Sequence, residues 1–444
     1  MMSHRKDPLP KLFRKRTTPL TLAGRPVRNA LKFVSVLPRA GNKQDGTRPI
    51  RLAHFTTVDQ SLWFLLRTEL ELQRDAGFEV VAISAPGPFV ANIETLGIRH
   101  VPVGRLTCKW SIWSDFRAAT TLWRILRDLK LDILHTHTPK AGVIGRIIGR
   151  LAGVPVVVNT CHGLAATDQD DWSKRVAVCA VEALAAQFSD AELFQNSEDL
   201  RTMALYQRKN RCKVVGNGID LQRFAFDSLE RARVRSELGI GPNELLVGGV
   251  GRRVAEKGIL DFAASARQLC NEATFIWIGP TDPLKSDALL QDLQGITFLG
   301  PRDDMVAIYS ALDVFVLPSY REGLPRSAME AAACGRSMVL TDIRGNREIG
   351  SANHVALFVP PHNPAELTGA IRLLLANASL RERLGAEATV RSTRAFDQRD
   401  VASASIETYY AVGRRKGLRW ATTCTGASLP HRDCRINGVT GPVG

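Results

Sequence analysis

The chain of 444 residues, 45% apolar and 23% charged, has a globular composition and a length for two or three domains, which excludes a fibrous or mainly disordered protein. Its formal charge of +15 sits at the ends: residues 1–50 hold roughly twelve Lys/Arg against two Asp, and residues 414–444 roughly six against one. The body is near neutral, which removes the ground for a nucleic-acid partner, and the tails lack the interleaved aromatics of a base-stacking platform.

Eight cysteines without a C-x-x-C pair or clustered His give neither a zinc site nor a disulfide framework and fit a reducing cytosol. No apolar run reaches the ~18 residues of a membrane span, and the first fifty residues lack a secretory apolar core.

In chain order, residues 1–48 are basic, Pro-punctuated and poorly periodic, and read as a disordered or loosely helical tail. Contact with an anionic membrane surface, an inert extension, an upstream start codon and an organelle transit peptide are the readings it admits. From residue 49 to 213, the β-branched runs "IRLAHF", "EVVAIS", "HVPV", "DILHTH", "PVVVNT", "AELFQN" and "CKVVGN" alternate with helical stretches, as in a parallel sheet with crossover helices. From 214 to 395, "LLVGGVG", "TFIWIG", "ITFLG", "DVFVLP", "SMVLTD" and "VALFVP" repeat the pattern. The join falls near "VVGNGIDLQRF", where Asn217-Gly218 marks a tight turn and a hinge. Residues 396–413 form a closing amphipathic helix, and 414–444 read as a disordered tail.

Ligands of open parallel sheets sit at the carboxyl ends of the strands, so the chemistry is sought there. In "VGGVGRRVAEKG", Gly248, Gly249 and Gly251 end a strand, and Arg252 and Lys257 open a helix; free N–H groups and two cations suit a pyrophosphate, with Arg253 competing for the role of Arg252. A tight turn with solvated cations is the plainer alternative. In "YREGLPRSAMEAAACG", Glu322 lies in a loop, Pro325 at the first helical position and Glu330 on a helix of small apolar residues. Carboxylates accept paired hydroxyl bonds, as from a ribose or a sugar, and the two positions suit two parts of one ligand; a helix-terminal charge and a solvated face are the alternatives. His162 and Gly163 directly follow a strand, as do His137, Thr138 and Lys140, either as donors to a substrate oxygen or as satisfied strand ends. The Asp168-x-Asp170 spacing is read as helix capping rather than a metal site.

Taken together, residues 50 to about 412 resemble the family 4 retaining glycosyltransferases, in the branch that builds polysaccharides and lipid-linked oligosaccharides. The carriers are "VGRRVAEKG", "EGLPRSAME" with Glu322 and Glu330 as an E-x7-E pair, "GNGID" and "TDIRGNREI". The resemblance implies the GT-B fold: α/β, with two facing Rossmann-like domains and a C-terminal closing helix. It implies that the donor lies against Gly251, Arg252, Lys257, Glu322, Gly323, Leu324 and Glu330. Arg252 and Lys257 would hold the pyrophosphate, Glu330 the ribose and Glu322 the sugar hydroxyls, with His162 near the reacting carbon. His162, Glu322, Arg252 and Lys257 would then form the catalytic centre. The loop "TTVDQSLWF" departs from the family's frequent Gly-Gly turn, and "IGSANHVALFVP" is shorter than the usual connection.

The expected activity is retaining transfer of a hexosyl or N-acetylhexosaminyl group from a nucleotide-sugar, UDP-sugar preferred, to a glycan or polyprenyl-diphosphate-linked acceptor. No metal or cofactor is expected beyond the nucleotide-sugar co-substrate. The setting is cytoplasmic, with peripheral placement on the inner face of the plasma membrane as an option. The alternative is a catalytically silent nucleotide- or carbohydrate-binding subunit of a membrane-associated glycan assembly complex.

Overall fold

The computed structural model describes residues 48–108, 110–167, 169–282, 287–289, 291 and 293–422. The basic segment before residue 48 therefore lies outside the described residues, as does Asp168.

All thirteen β-branched runs are strands. The first sheet contains β1 (Arg51–Val58), β2 (Glu79–Ala85), β3 (Arg99–Pro102), β4 (Ile133–His137), β5 (Val156–Cys161), β6 (Ala191–Phe194) and β7 (Cys212–Val214), in the order β3-β2-β1-β4-β5-β6-β7. The second contains β8 (Leu246–Val250), β9 (Thr274–Ile278), β10 (Thr297–Gly300), β11 (Val314–Leu317), β12 (Ser337–Thr341) and β13 (Leu357–Val359), in the order β10-β9-β8-β11-β12-β13. Every pairing within the two sheets is parallel, so each needs a crossover helix, and helices cover both faces. The central strands are accordingly buried along nearly their whole length: six of the eight residues of β1 and all of β4, β11 and β12.

Strand order reverses between β1 and β4 in the first sheet and between β8 and β11 in the second. Helices leave to opposite faces at such a point, opening a crevice at the carboxyl edge. The loops after β8 and β11 carry Arg252, Lys257 and Glu322, while after β4 Thr138 caps helix Pro139–Leu151 and Lys140 stands in its first turn.

The halves join at two chain crossings that touch. Ile219 N donates to Phe396 O at 2.8 Å and Gln398 N to Ile219 O at 3.1 Å. A Cβ on Gly218 would stand 2.3 Å from the Cα of Gln398, so the glycine of "GNGID" is required by close backbone approach; the positive φ (71°) of a turn belongs to Gly216 instead.

Helix Gln398–Arg415 then returns to the first half, where Ile406, Tyr409, Tyr410 and Val412 enter the core beside Leu52, Leu70 and Phe78. The expected tail from 414 starts later than its sequence suggests. The closing helix runs to Arg415, and Gly417, at φ 69°, turns the chain so that helix Arg419–Thr422 packs back, with Ala421 buried and Trp420 against the ring of Tyr410. Arg415 and Lys416 are also tied down: Lys416 Nζ pairs with Asp190 at 2.6 Å and donates to Pro155 O at 2.7 Å. No helix among the described residues is long and apolar enough to cross a membrane.

Candidate active site

Beyond β8 and β11 one expected cation meets one expected carboxylate. Lys257 Nζ lies 2.6 Å from Glu322 Oε1, with both side chains less than a fifth exposed. Arg252 Nη1 holds Asp282 at 2.7 Å, whereas Arg253 turns away, its guanidinium 3.8 Å from the centroid of Phe298 and donating to Gln291 O at 2.6 Å. The two neighbouring arginines thus point to different partners. Gly251 holds the turn: its carbonyl accepts from Trp277 Nε1 at 2.8 Å, and Gly279 packs so closely that a Cβ there would fall 2.1 Å from Gly251 O.

Helix Arg326–Ala333 follows the loop after β11. Pro325 (φ −75°, ψ 118°) is its cap rather than its first helical residue, which moves the helix one position later than expected. Glu330 projects from this helix among Ala328, Met329, Ala331 and Ala332, all buried, and accepts from Tyr309 Oη at 2.9 Å, with Arg326 Nε 4.0 Å away. Burial raises the Glu330 carboxyl, against the pull of Arg326 and the Tyr309 bond. Leu324 is buried, and its carbonyl accepts from Asn217 at the hinge, 3.1 Å.

Gly323 is pinched between the halves. A Cβ there would lie 1.9 Å from His162 O, one on Gly163 (φ 118°) 2.8 Å from the Cα of Gly323, and one on Gly345 2.6 Å from Glu322 O. Only three stacked glycines allow the loop of Glu322 to contact both the first half and helix Arg344–Arg347. The motif "TDIRGNREI" supplies the clasp around them. Arg344 donates to the carbonyls of Leu164 and Ala166 and pairs with Asp199 at 2.8 Å, Arg347 pairs with Glu198 at 2.9 Å, and Glu348 accepts from Ser197 N and Oγ at 2.6 Å. Arg321 adds Ala165 O (2.9 Å) and Asp170 (3.0 Å). This clasp was not assigned from sequence, because its partners lie about 150 to 180 positions away. Asp170 also accepts from Thr167 and pairs with Lys174, whereas Asp171, the cap residue of helix Trp172–Ala186, makes no side-chain cap bond, so the helix capping expected of this acidic run is replaced by bonding within the turn and to Lys174.

His162 combines the two readings its sequence position allows. Its ring lines the crevice between the halves, with Glu69, Thr160, Gln195, Asn217 and Arg326, yet both nitrogens are bonded to protein: Gln195 Nε2 donates to Nδ1 at 2.9 Å and Nε2 reaches His137 Nδ1 at 3.0 Å. The chain of bonds continues through His137 Nε2 to His54 Nδ1 at 2.9 Å and His54 Nε2 to Gln73 Oε1 at 2.6 Å. Because Gln195 can only donate at one end and Gln73 Oε1 only accept at the other, every tautomer in between is fixed with hydrogen on Nε2. His135 stands beside them, bonded to Tyr409 Oη at 2.6 Å and Thr160 Oγ1 at 2.7 Å.

Burial pushes His54 and His162 down to about 4 and His135 and His137 well below their ordinary range, so the layer is neutral near pH 7. It pushes Glu69, which accepts from Gln73 at 3.1 Å, up to about 7. His54, His135 and His137 bring ligand atoms within 4.8 Å of one another, a metal-like grouping, but all six ring nitrogens already have protein partners. The grouping is accounted for by its hydrogen bonds. Part of the signal was present in sequence, since period two puts His135 and His137 on one face of β4, but only strand pairing brings His54 of β1 into register with His135.

Comparison with known proteins agrees with this geometry. Residues 66–218 match the family described as glycosyl transferase 4-like domain, and residues 244–377 the one described as glycosyl transferases group 1. The UDP-Gal:alpha-D-GlcNAc-diphosphoundecaprenol alpha-1,3-galactosyltransferase of Escherichia coli is 30% identical over 298 residues, 63% of this chain and 75% of that protein. The N,N'-diacetylbacillosaminyl-diphospho-undecaprenol alpha-1,3-N-acetylgalactosaminyltransferase of Campylobacter jejuni is 25% identical over 372 residues, 81% of this chain and 98% of that protein. The structure of Alr3699/HepE of Anabaena in complex with UDP superposes with a TM-score of 0.70 at 18% identity, covering 82% of this chain and 100% of that one. The chain belongs to the group 1 glycosyltransferases, and its two parallel-sheet halves have the GT-B fold. It is a glycosyltransferase.

Proposed function

We propose that the protein is a retaining transferase that moves a hexosyl or N-acetylhexosaminyl group from a UDP-sugar to a polyprenyl-diphosphate-linked acceptor in surface polysaccharide synthesis, on the cytoplasmic side of the membrane. The observation that carries this reading is the gathering of Arg252, Lys257, Glu322 and Glu330 around one strand-order reversal, β8/β11. The names of the Escherichia coli and Campylobacter jejuni relatives support the lipid-linked acceptor, and the UDP in the Anabaena structure supports the donor.

In this reading the diphosphate displaces Glu322 from Lys257 and Asp282 from Arg252, exchanging two internal ion pairs for charge-assisted phosphate bonds. Glu322, released, accepts from the sugar hydroxyls; Glu330 takes the ribose hydroxyls. His162 meets the sugar when its Nε2–H turns from His137 to a sugar oxygen. The bond from C1 to the diphosphate oxygen breaks, the acceptor oxygen bonds to C1 on the same face, and the acceptor proton passes to the departing diphosphate. Arg252, Lys257 and the N-terminus of helix Arg326–Ala333 stabilise that charge without a metal.

The test is a thermal-shift and hydrolysis screen of UDP-, GDP- and ADP-sugars on the wild type and Glu330→Ala, followed by assignment of the product anomer. Stabilisation and turnover by UDP-sugars, lost in the variant, with the anomeric configuration retained, is the expected result. An inverted product sinks the retaining mechanism, and no response to any donor sinks the nucleotide-sugar donor reading.

A further inference from the structure

The row of imidazoles at the first edge has a direction, and the direction has one source. His54 on β1, His137 on β4 and His162 after β5 face one another through Nδ1 and Nε2, between the amides of Gln73 on helix Arg67–Asp75 and Gln195 after β6. Such a row can be fully bonded in two ways. With every hydrogen on Nε2, His54 donates to the Gln73 oxygen and the Gln195 nitrogen donates to His162; with every hydrogen on Nδ1, both amides are turned over and each bond runs the other way. The rings do not choose between these, since each is neutral and keeps two bonds in either. Nor do Tyr409 and Thr160, because a hydroxyl donates or accepts as its neighbour requires.

The group that chooses is Glu69. The Gln73 amide nitrogen gives its hydrogens to Glu69 Oε1 at 3.1 Å and Tyr409 Oη at 3.2 Å, which leaves its oxygen for His54 Nε2 at 2.6 Å. Turned over, the amide would set its oxygen against a carboxylate, which has no hydrogen to offer once ionised. The Ser405 hydroxyl, on helix Gln398–Arg415, also donates to Glu69. Gln73 is fully buried and bonded to Glu69, Tyr409 and His54, so its influence on the crevice passes through the row. An amide neither takes up nor releases a proton, so a row closed by amides at both ends is not a proton path. What it transmits is the choice of tautomer, and of its three rings only His162 lines the crevice.

We propose that Gln73, oriented by Glu69, is a positioning residue for the transfer: through His54 and His137 it fixes His162 as a hydrogen-bond donor to the sugar. A ring with the opposite tautomer would bring the lone pair of Nε2 to the same oxygen. This deepens the transferase reading and rests on it for the use of His162, but the tautomer itself is measured without any donor.

The experiment is nitrogen NMR of the full chain labelled at its histidine rings, which reads the nitrogen that carries hydrogen, with the His162 signals identified by their loss in His162→Asn. It is run near pH 8, above the value of about 7 to which burial pushes Glu69. The wild type should show His54, His137 and His162 with hydrogen on Nε2; hydrogen on Nδ1 of any of the three overturns the proposal without need of a variant. In Gln73→Lys the ammonium can only donate, to Glu69, Tyr409 and His54 Nε2, so the row should reverse and His162 should carry hydrogen on Nδ1. The kcat of UDP-sugar hydrolysis should then fall about tenfold, with KM changed less than about twofold. Gln73→Glu puts a charge at the same buried place but still accepts from His54, and should keep both the tautomer and most of kcat. Equal losses in the two variants would show a merely structural role and overturn the proposal. So would a reversed tautomer with undiminished kcat, or a tautomer that Gln73→Lys leaves in place. Reversal by Gln73→Lys in a protein that hydrolyses no nucleotide-sugar upholds the control of His162 while removing the donor reading.

Discussion

The carboxyl edges of the two sheets have the same topology and opposite electrostatics. At the first, four neutral imidazoles and two glutamines spend every ring nitrogen on one another and on Tyr409 and Thr160. At the second, Lys257–Glu322 and Arg252–Asp282 are charged pairs at the rim of a crevice, partly open to water. A neutral, fully bonded layer loses by exchanging any of its partners, whereas an ion pair can trade one anion for another at small cost. The second edge is therefore built to exchange ligands and the first, apart from His162 at its open end, to hold a shape against which it closes.

The sharpest way to break this comparison is at the second edge. Lys257→Ala is expected to lower kcat/KM about a thousandfold, on the order of 4 kcal/mol, because it removes a cation aimed at a leaving diphosphate. Steady-state kinetics with a saturating lipid-linked acceptor measures this, and a loss confined to KM would show that Lys257 binds the donor without stabilising its departure.

The next effect belongs to the first edge and is read as stability against pH. His54 and His162, at about 4 when folded against about 6.5 when unfolded, bind fewer protons folded than unfolded across that window. Their contribution is complete above pH 6.5 and is lost as pH falls toward 4, on the order of 3 kcal/mol for each ring. His135 and His137 act in the same sense. Glu69, raised to about 7, acts in the opposite one: its folded form holds the extra proton, so its contribution is lost as pH rises toward 7. The melting temperature should fall between pH 7 and pH 5, and Glu69→Gln should steepen that fall by removing the opposing group. A melting temperature that is flat across the range in Glu69→Gln as well would mean that the rings are not buried neutral.

How much of this was legible in the sequence follows the same division. The strands could be read because parallel strands buried on both faces are continuous apolar runs, and the ligands of the second edge because Arg252, Lys257, Glu322 and Glu330 lie within short local motifs. The histidine layer could not be assembled, since its bonds join residues 83, 25 and 33 positions apart and depend on strand order. His162 was recognised as a strand-end residue, but which atoms it had to spare was fixed by partners on β1, β4 and the loop after β6. Gly323 was legible as part of a motif, while the reason for its missing side chain, the carbonyl of His162, lies on the other half. The start of the closing helix was nearly right and the separate helix Arg419–Thr422 beyond it was missed, because Trp420 and Ala421 have no apolar period of their own and pack only after Gly417 reverses the chain.

The smallest effect sharpens the comparison from the side of the closing helix. Tyr409→Phe keeps the ring that meets Phe78 edge-on at 6.2 Å and removes only the hydroxyl, which bonds His135 Nδ1 at 2.6 Å and accepts from Gln73 Nε2 at 3.2 Å. Both partners are buried, so losing the bond without adding water leaves unmet polar groups, a cost of about 1 to 2 kcal/mol. Because Tyr409 stands on helix Gln398–Arg415, the cost should appear first as easier release of that helix, with its amides exchanging with solvent roughly tenfold faster and donor turnover unchanged. A variant whose exchange is unchanged would show that the helix is held by Ile406, Tyr410 and the Lys416–Asp190 pair alone, and that the layer is bonded to a surface it does not help to stabilise.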